Sequence, residues 1–234
     1  MTSTEIKTVR SLSGKKFRDE LGLFVVEGEK MVSEALASGF RVENVYRVEE
    51  IGEKTMERLS SLSTPSPVLA VVRKPENQFP DSVPEKGLYL ALDSIRDPGN
   101  LGTILRIADW FGIDTIYCSP DTADVYNPKV VQATMGSIAH VRILYTDLVE
   151  LLSNAQRPVY GTLLDGENIY EQQLNTDMGI IVMGNEGNGI SPAVRPLITH
   201  KLLIPNFHKT SETAESLNVA IATAITCSEF RRRF

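Results

Sequence analysis

Cysteine is scarce in this chain: two in 234 residues, Cys118 in "TIYCSP" and Cys227 in "AITCSEF". Neither belongs to a C-x-x-C pair, and the three histidines, His140, His200 and His208, are dispersed. No disulfide framework and no metal site are expected, and both thiols read as buried free cysteines in a reducing compartment. Long apolar runs are missing as well. No stretch approaches the roughly 18 residues of a membrane span, and "MTSTEIKTVR" has no apolar core of the kind a secretory leader carries. A cytoplasmic protein without membrane attachment is expected. An excess of positive charge is the third absence. Lys and Arg number 24 against 30 Asp and Glu, a net charge of -6, which argues against coating nucleic acid by bulk electrostatics. The cations are instead clustered: Lys7, Arg10, Lys15, Lys16 and Arg18 against the single acid Glu5, and Arg231, Arg232 and Arg233 at the other end. Such clusters can grip a polyanion at chosen points. They also fit a solvated helix face and cations at a helix C-terminus.

What is present is an ordinary globular composition, 42% hydrophobic and 23% charged. A break falls at "RKPENQFPDSVPEKG", residues 73–87, where three prolines interrupt the apolar pattern; it reads as a linker. Residues 1–72 read as a small α/β unit, with strands in "GLFVVEG", "ENVYRVEE" and "PVLAVVRK" and a helix in "EKMVSEALASG" that carries Met31, Val32, Ala35 and Leu36 at helical spacing. In residues 88–234 the alternation is cleaner. Strands "LYLALD", "TIYCS", "VRILY", "PVYGTLL", "GIIVMG" and "KLLIP" are interleaved with helices "GNLGTILRIADWFG", "PKVVQATMGSIAH", "DLVELLSNA", "SPAVRPLIT" and "SLNVAIATAITCSEF". That order predicts a parallel sheet covered by helices, with ligands beyond the carboxyl ends of its strands.

Three of the predicted strand ends carry unusual loops. "IIVMGNEGNGIS", residues 180–191, has glycines at 184, 187 and 189. The spacing is G-x-x-G-x-G rather than the dinucleotide fingerprint, and no Lys-Ser or Lys-Thr follows as in a P-loop. A nicotinamide-dependent oxidoreductase fails on this spacing. In "LDSIRDPGNLGTILRIADWFG", residues 92–112, Pro98 and Gly99 suggest a turn, Asn100 a helix cap, and Leu101, Ile104, Leu105 and Ala108 a buried stripe with Arg106 beside it. In "LLIPNFHKTSETAESLNVAIATAI", residues 202–225, a polar loop separates a strand from an apolar helix, with Ser216 as the expected cap and Asn218 in the first turn.

Taken together, these loops resemble the three motifs of the SPOUT superfamily, specifically its SpoU/TrmH branch of RNA 2'-O-ribose methyltransferases. The first motif, D-x-x-x-D-P-x-N-x-G-x-x-x-R, is met by Asp93, Asp97, Pro98, Asn100, Gly102 and Arg106. The second, G-N-E-x-x-G-[IL]-S, is met by Gly184, Asn185, Glu186, Gly189, Ile190 and Ser191. The third joins Ile204 and Pro205 to Ser216, Leu217, Asn218, Val219, Ala220 and Ala222, across a spacer longer than the family's usual one. The resemblance implies a parallel-sheet α/β domain with a trefoil knot that builds an S-adenosylmethionine pocket, so the glycine loop would hold an adenosine without phosphate. It implies Gly184, Ile204 and Leu217 as cofactor-binding residues, with Thr162 and Leu163 as an addition. Arg106, Asn100, Glu186, Ser216 and Asn218 would form the catalytic group, Arg106 also touching RNA.

The stretch "SLSGKKFRDELGLFVVEGEKMVSEAL" resembles the ribosomal-protein-like substrate-binding domain that precedes many such catalytic domains, and implies RNA contacts at Lys15, Lys16 and Arg18. The two-unit layout favours ribosomal RNA, with transfer RNA as the alternative substrate. A catalytically inactive RNA-binding or ribosome-assembly protein on the same scaffold is the alternative of another class. A homodimer is expected, because "SLNVAIATAITCSEF" is apolar over more than one helix face and the family usually pairs through this region.

Overall fold

Periodicity and turn chemistry translate into eighteen strands and helices, traced here from a computed structural model that describes residues 1–75, 86–208 and 216–232. The chain begins α1 Ser3–Ser11, α2 Lys15–Leu21, β1 Leu23–Glu27, α3 Glu29–Ala37, β2 Val42–Arg47, α4 Val48–Ile51, α5 Glu53–Leu59 and β3 Val68–Arg73. It continues β4 Gly87–Leu92, α6 Pro98–Trp110, β5 Thr115–Cys118, α7 Pro128–Thr134, β6 Arg142–Tyr145 and α8 Leu148–Ser153. It ends β7 Val159–Asn168, β8 Met178–Met183, β9 His200–Leu203 and α9 Val219–Arg232. Most of the expected linker, residues 76–85, lies outside the described residues, as do residues 209–215 of the long polar loop and Arg233.

Two compact units result: residues 1–77 with 124–140, and residues 78–123 with 141–234. The first is built on an antiparallel sheet of order β1-β3-β2. Its core is Ile6, Val9 and Leu12 of the first turns, Met56 and Leu59 of α5, and Leu69 and Val71 of β3. The segment 124–140, which the sequence leaves in the 88–234 stretch, packs with this unit. Tyr126 stacks on Phe24 at 4.8 Å between ring centroids. Asp124 takes two hydrogen bonds from Arg18, at 2.7 and 3.2 Å.

Arg18 departs from expectation. Its side chain is 2% exposed, and its remaining donors reach the carbonyls of Leu12 and Ser13 at 2.8 and 2.7 Å. A guanidinium so committed ties the α1–α2 corner to the segment at Asp124 and has no face left for an RNA phosphate. Lys15 and Lys16 stay exposed on α2, with i,i+4 partners Asp19 at 2.6 Å and Glu20 at 3.8 Å. Leu36, expected in the buried stripe of α3, is 53% exposed, while Met31, Val32 and Ala35 are buried.

The second unit is a six-stranded, wholly parallel sheet of order β6-β5-β4-β8-β7-β9. Its central strands β4 and β8 are nearly continuous buried runs, as double coverage demands. The helix stripe Leu101, Ile104, Leu105 and Ala108 is fully buried. Cys118 and Cys227 are free and buried; burial pushes the Cys227 thiol up to about 12 and that of Cys118 further, so neither serves as a nucleophile.

Two expected helices and one expected strand change form. "SPAVRPLIT" is a set of turns with one 3-10 turn at Arg195–Leu197, because Pro196 cannot donate to an α-helical ladder. "PKVVQATMGSIAH" stops at Met135 and Gly136, both left-handed (φ 52° and 106°), before a 3-10 turn at Ser137–Ala139. The end of "ENVYRVEE" leaves the strand and winds into α4.

Candidate functional site

Strand order alone brings the first two motifs together. β4 and β8 are neighbours, with Leu92 opposite Met183, so the loops that leave their carboxyl ends, Asp93–Asp97 and Gly184–Ser191, emerge side by side. Direct bonds fix them: the Ser191 N–H donates to Asp93 Oδ2 at 2.7 Å, and Asn185 Nδ2 donates to the Ser94 carbonyl at 2.7 Å. Asp93 is 4% exposed, and this bond accounts for its burial.

Local capping differs from the sequence reading in a way that matters. Asp97, not Asn100, caps α6, accepting the Asn100 N–H at 2.7 Å, and Pro98 and Gly99 are already in the first turn. Asn100 is thereby released to use its side chain elsewhere. Likewise Asn218, not Ser216, caps α9: its Oδ1 accepts from the N–H groups of Ala220 and Ile221 at 2.9 and 3.3 Å. Ser216 is exposed.

The two released amides and Glu186 form a directed chain. Asn218 Nδ2 donates to Asn100 Oδ1 at 2.9 Å, and Asn100 Nδ2 donates to Glu186 Oε1 at 3.0 Å, where the Asp97 N–H also points at 3.4 Å. Its polarity has one solution. Asn218 Oδ1 faces two backbone donors, so its amide must face Asn100, whose own amide must then face the acceptor-only carboxylate. Four expected catalytic positions thus divide: Asn100, Glu186 and Asn218 are joined, and Ser216 stands outside the chain. Arg106 is exposed on α6 and makes no hydrogen bond or ion pair with any described residue; its guanidinium is free for a ligand.

Beside this chain lies a cavity of about 610 Å³, lined by Thr162, Leu163, Gly184, Ile204 and Leu217, the five positions expected to meet a cofactor, and by Glu186 and Ser216. Its glycine wall needs glycine for space. A Cβ on Gly184 would lie 2.2 Å from the backbone of Gly189 and Ile190, because Asn185 and Gly189 exchange both backbone hydrogen bonds at 2.9 Å in a tight hairpin. Gly189 closes that hairpin at φ 68°. The opposite wall is apolar, with Leu163, Ile204, Leu217 and Val219. Backbone hydrogen-bonding groups against apolar side chains suit a flat heterocycle better than a phosphate. Among the described residues no group of three or more His, Cys, Asp or Glu could hold a metal ion.

Sequence reasoning missed the charged rim. Asp165, Arg195 and the neighbouring Lys201 form a triad, with Arg195 at 2.6 Å and Lys201 at 3.2 Å from one Asp165 oxygen. The Arg195 hydrogen bond, then that of Lys201, holds the Asp165 carboxyl below its usual range. Asp165 follows Leu163 and Leu164 along β7, and an acid there was the available signal; Arg195 sat in an expected helix and gave none.

Comparison with known proteins agrees with this geometry. A family model described as SpoU rRNA Methylase matches residues 87–228, and one described as MRM3-like substrate binding domain matches residues 3–71. The chain is similar to the 23S rRNA (guanosine(2553)-2'-O)-methyltransferase RlmP of Bacillus subtilis (strain 168), at 30% identity over 94% of this chain and 93% of that protein. Among solved structures, one assigned to the TrmH family of RNA methyltransferases, from Porphyromonas gingivalis, superposes with a TM-score of 0.90 at 41% identity, over 100% of this chain and 99% of that one. An AdoMet-bound rRNA methyltransferase from Sinorhizobium meliloti superposes with a TM-score of 0.89 at 31% identity, over 100% and 96% of the two chains.

Proposed function

The chain belongs to the SpoU rRNA methylase family, and from that premise we propose that it transfers the methyl group of S-adenosylmethionine to a ribose 2'-hydroxyl of large-subunit ribosomal RNA. Membership implies the trefoil knot that the motifs suggested. The observation that carries the reading is the hydrogen-bonded chain Asn218–Asn100–Glu186 at the edge of the glycine-walled cavity. It joins all three motif loops.

When bound, the cofactor supplies a methyl group already activated on a sulfonium, and the cavity fits its uncharged adenosine. The chain's own work is alignment and charge control. Gly184, Ile204 and Leu217 hold the adenosine, assisted by Thr162 and Leu163. The Asn218–Asn100–Glu186 chain fixes the loops around the acceptor hydroxyl, with Ser216 at the cavity wall. Arg106 holds an RNA phosphate next to the acceptor ribose and offsets the negative charge that grows on the 2'-oxygen as its proton passes to solvent water. A planar fork suits that task.

RNA grip in the first unit falls to Lys15 and Lys16, both exposed. The protein acts as a homodimer that covers Ile221, 52% exposed beside the buried face of α9. No helix among the described residues is long and apolar enough to cross a membrane, and two free buried thiols fit a cytoplasmic setting. The inactive-scaffold alternative is opposed by the completeness of the polar chain.

Mapping 2'-O-methyl sites in ribosomal RNA from cells with and without this protein tests the reading. Loss of one large-subunit site is expected. An unchanged ribosomal map, or a loss confined to transfer RNA, would overturn it.

A further inference from the structure

The segment Asp93–Asp97 between β4 and α6 is held more tightly than a connection requires. Ser94 sits in the left-handed region at φ 62°, one of only two non-glycine residues to do so among those described, and such strain persists only where the surroundings enforce it. Here they do. The Ser94 N–H donates to Ser119 Oγ at 2.8 Å, its hydroxyl donates to Asp121 Oδ2 at 2.7 Å, and its carbonyl accepts from Asn185 at 2.7 Å. Ile95 is fully buried, and its carbonyl accepts the Ala123 N–H at 2.8 Å. Asp93 is bonded to Ser191, and Asp97 caps α6.

Arg96 is the one member of the segment whose side chain is not used to hold it. That side chain is 69% exposed and has a single hydrogen bond, 3.3 Å to Asp121 Oδ2, the oxygen that already accepts from Ser94. Most of its five N–H donors have no partner among the described residues. Asp121 does not depend on it either. The hydroxyls of Ser94 and Ser119 are the chief causes that hold the Asp121 carboxyl below its usual range, and Arg96 contributes less. The guanidinium can therefore leave Asp121 for a stronger acceptor while the loop stays in place.

We propose that Arg96 is a second phosphate-binding residue of this site, gripping the RNA backbone beside the acceptor ribose from the loop that precedes Asn100. The inference rests on the proposed RNA methylation and assigns a role to a position that the family motif leaves open. Three observations favour phosphate. Arg96 stands at the carboxyl end of β4, where parallel sheets receive their ligands. Its backbone is rigid while its fork is free, the preorganised state in which arginine loses least on binding a tetrahedral oxyanion. And a chain of net charge -6 must hold a polyanion through local cations rather than through its overall field.

The test uses the full chain, in vitro transcribed 23S ribosomal RNA as the probe, and the variants Arg96→Gln and Arg96→Lys. RNA affinity is measured across a salt series, alongside KM and kcat for methyl transfer and calorimetric S-adenosylmethionine binding. Arg96→Gln should weaken RNA binding by on the order of threefold to tenfold at low salt and flatten the salt slope by about one charge equivalent. KM should rise much more than kcat falls, with cofactor affinity preserved. Arg96→Lys should restore the salt slope but only part of the affinity, because a point charge replaces the fork; a loop-holding role would restore neither. An Arg96→Gln protein with unchanged slope and KM overturns the proposal for Arg96 alone, as does one that loses cofactor binding. A wild-type chain that neither binds nor methylates the RNA overturns the underlying function as well.

Discussion

Arg106 and Arg18 show how little a residue's type says about its work. Both are arginines beside apolar helix positions, yet one guanidinium is exposed and without a partner among the described residues, and the other is 2% exposed with four hydrogen bonds. Arg106→Ala should abolish methyl transfer in single turnover while S-adenosylmethionine still binds by calorimetry, since Arg106 is not among the residues that line the cavity assigned to the cofactor; Arg106→Lys should rescue poorly, because a point charge replaces a planar fork. Near-normal turnover in Arg106→Ala would remove it from the reaction. Arg18→Ala should instead cost about 3–5 kcal/mol of stability, the usual result of stranding a buried partner charge, here Asp124. Thermal unfolding of the variant checks this, and an unchanged melting temperature would contradict it. The motif resemblance is what singles out Arg106. The sequence could not show that Arg18 is buried, because the partner lies 106 positions away and leaves no local pattern.

At the scale of elements, strand periodicity was plain in the sequence, and each expected strand of the parallel sheet is present. Helix ends were not. Asn100 read as the cap of α6, whereas the fold gives that role to Asp97, which leaves the Asn100 side chain for Glu186 and Asn218. The segment 191–199 read as a helix opening at Ser191-Pro192, but Pro196 falls in what would be its interior and removes a donor there. The glycine loop is the element whose chemistry was most legible, since three glycines without phosphate-loop spacing call for close backbone packing. Gly184→Ala should open the Asn185–Gly189 hairpin, because its Cβ would meet backbone at 2.2 Å. A loss of cofactor affinity of at least about tenfold is expected by calorimetry, roughly 1.4 kcal/mol. Wild-type affinity in that variant would show that the hairpin is not a cofactor wall.

For the whole molecule, the sequence reads as two units joined by the proline-rich stretch 73–87, and the packing of 124–140 with the first unit left no mark in it, since contacts such as Phe24 with Tyr126 carry no sequence signature. The apolar breadth of α9 leads to an expected dimer, and light scattering at micromolar concentration should give twice the chain's 25.9 kDa; a monomer would contradict the assignment of Ile221 to a subunit interface. The account's central claim is that the site directs a methyl group to a ribose oxygen. Its most direct test is to incubate the protein with in vitro transcribed 23S ribosomal RNA and S-adenosylmethionine labelled in the methyl group, digest the RNA to nucleosides and identify the labelled product. The account predicts label in a single 2'-O-methylated nucleoside. Label in a base-methylated nucleoside, or none from a protein that binds both cofactor and RNA, would contradict it.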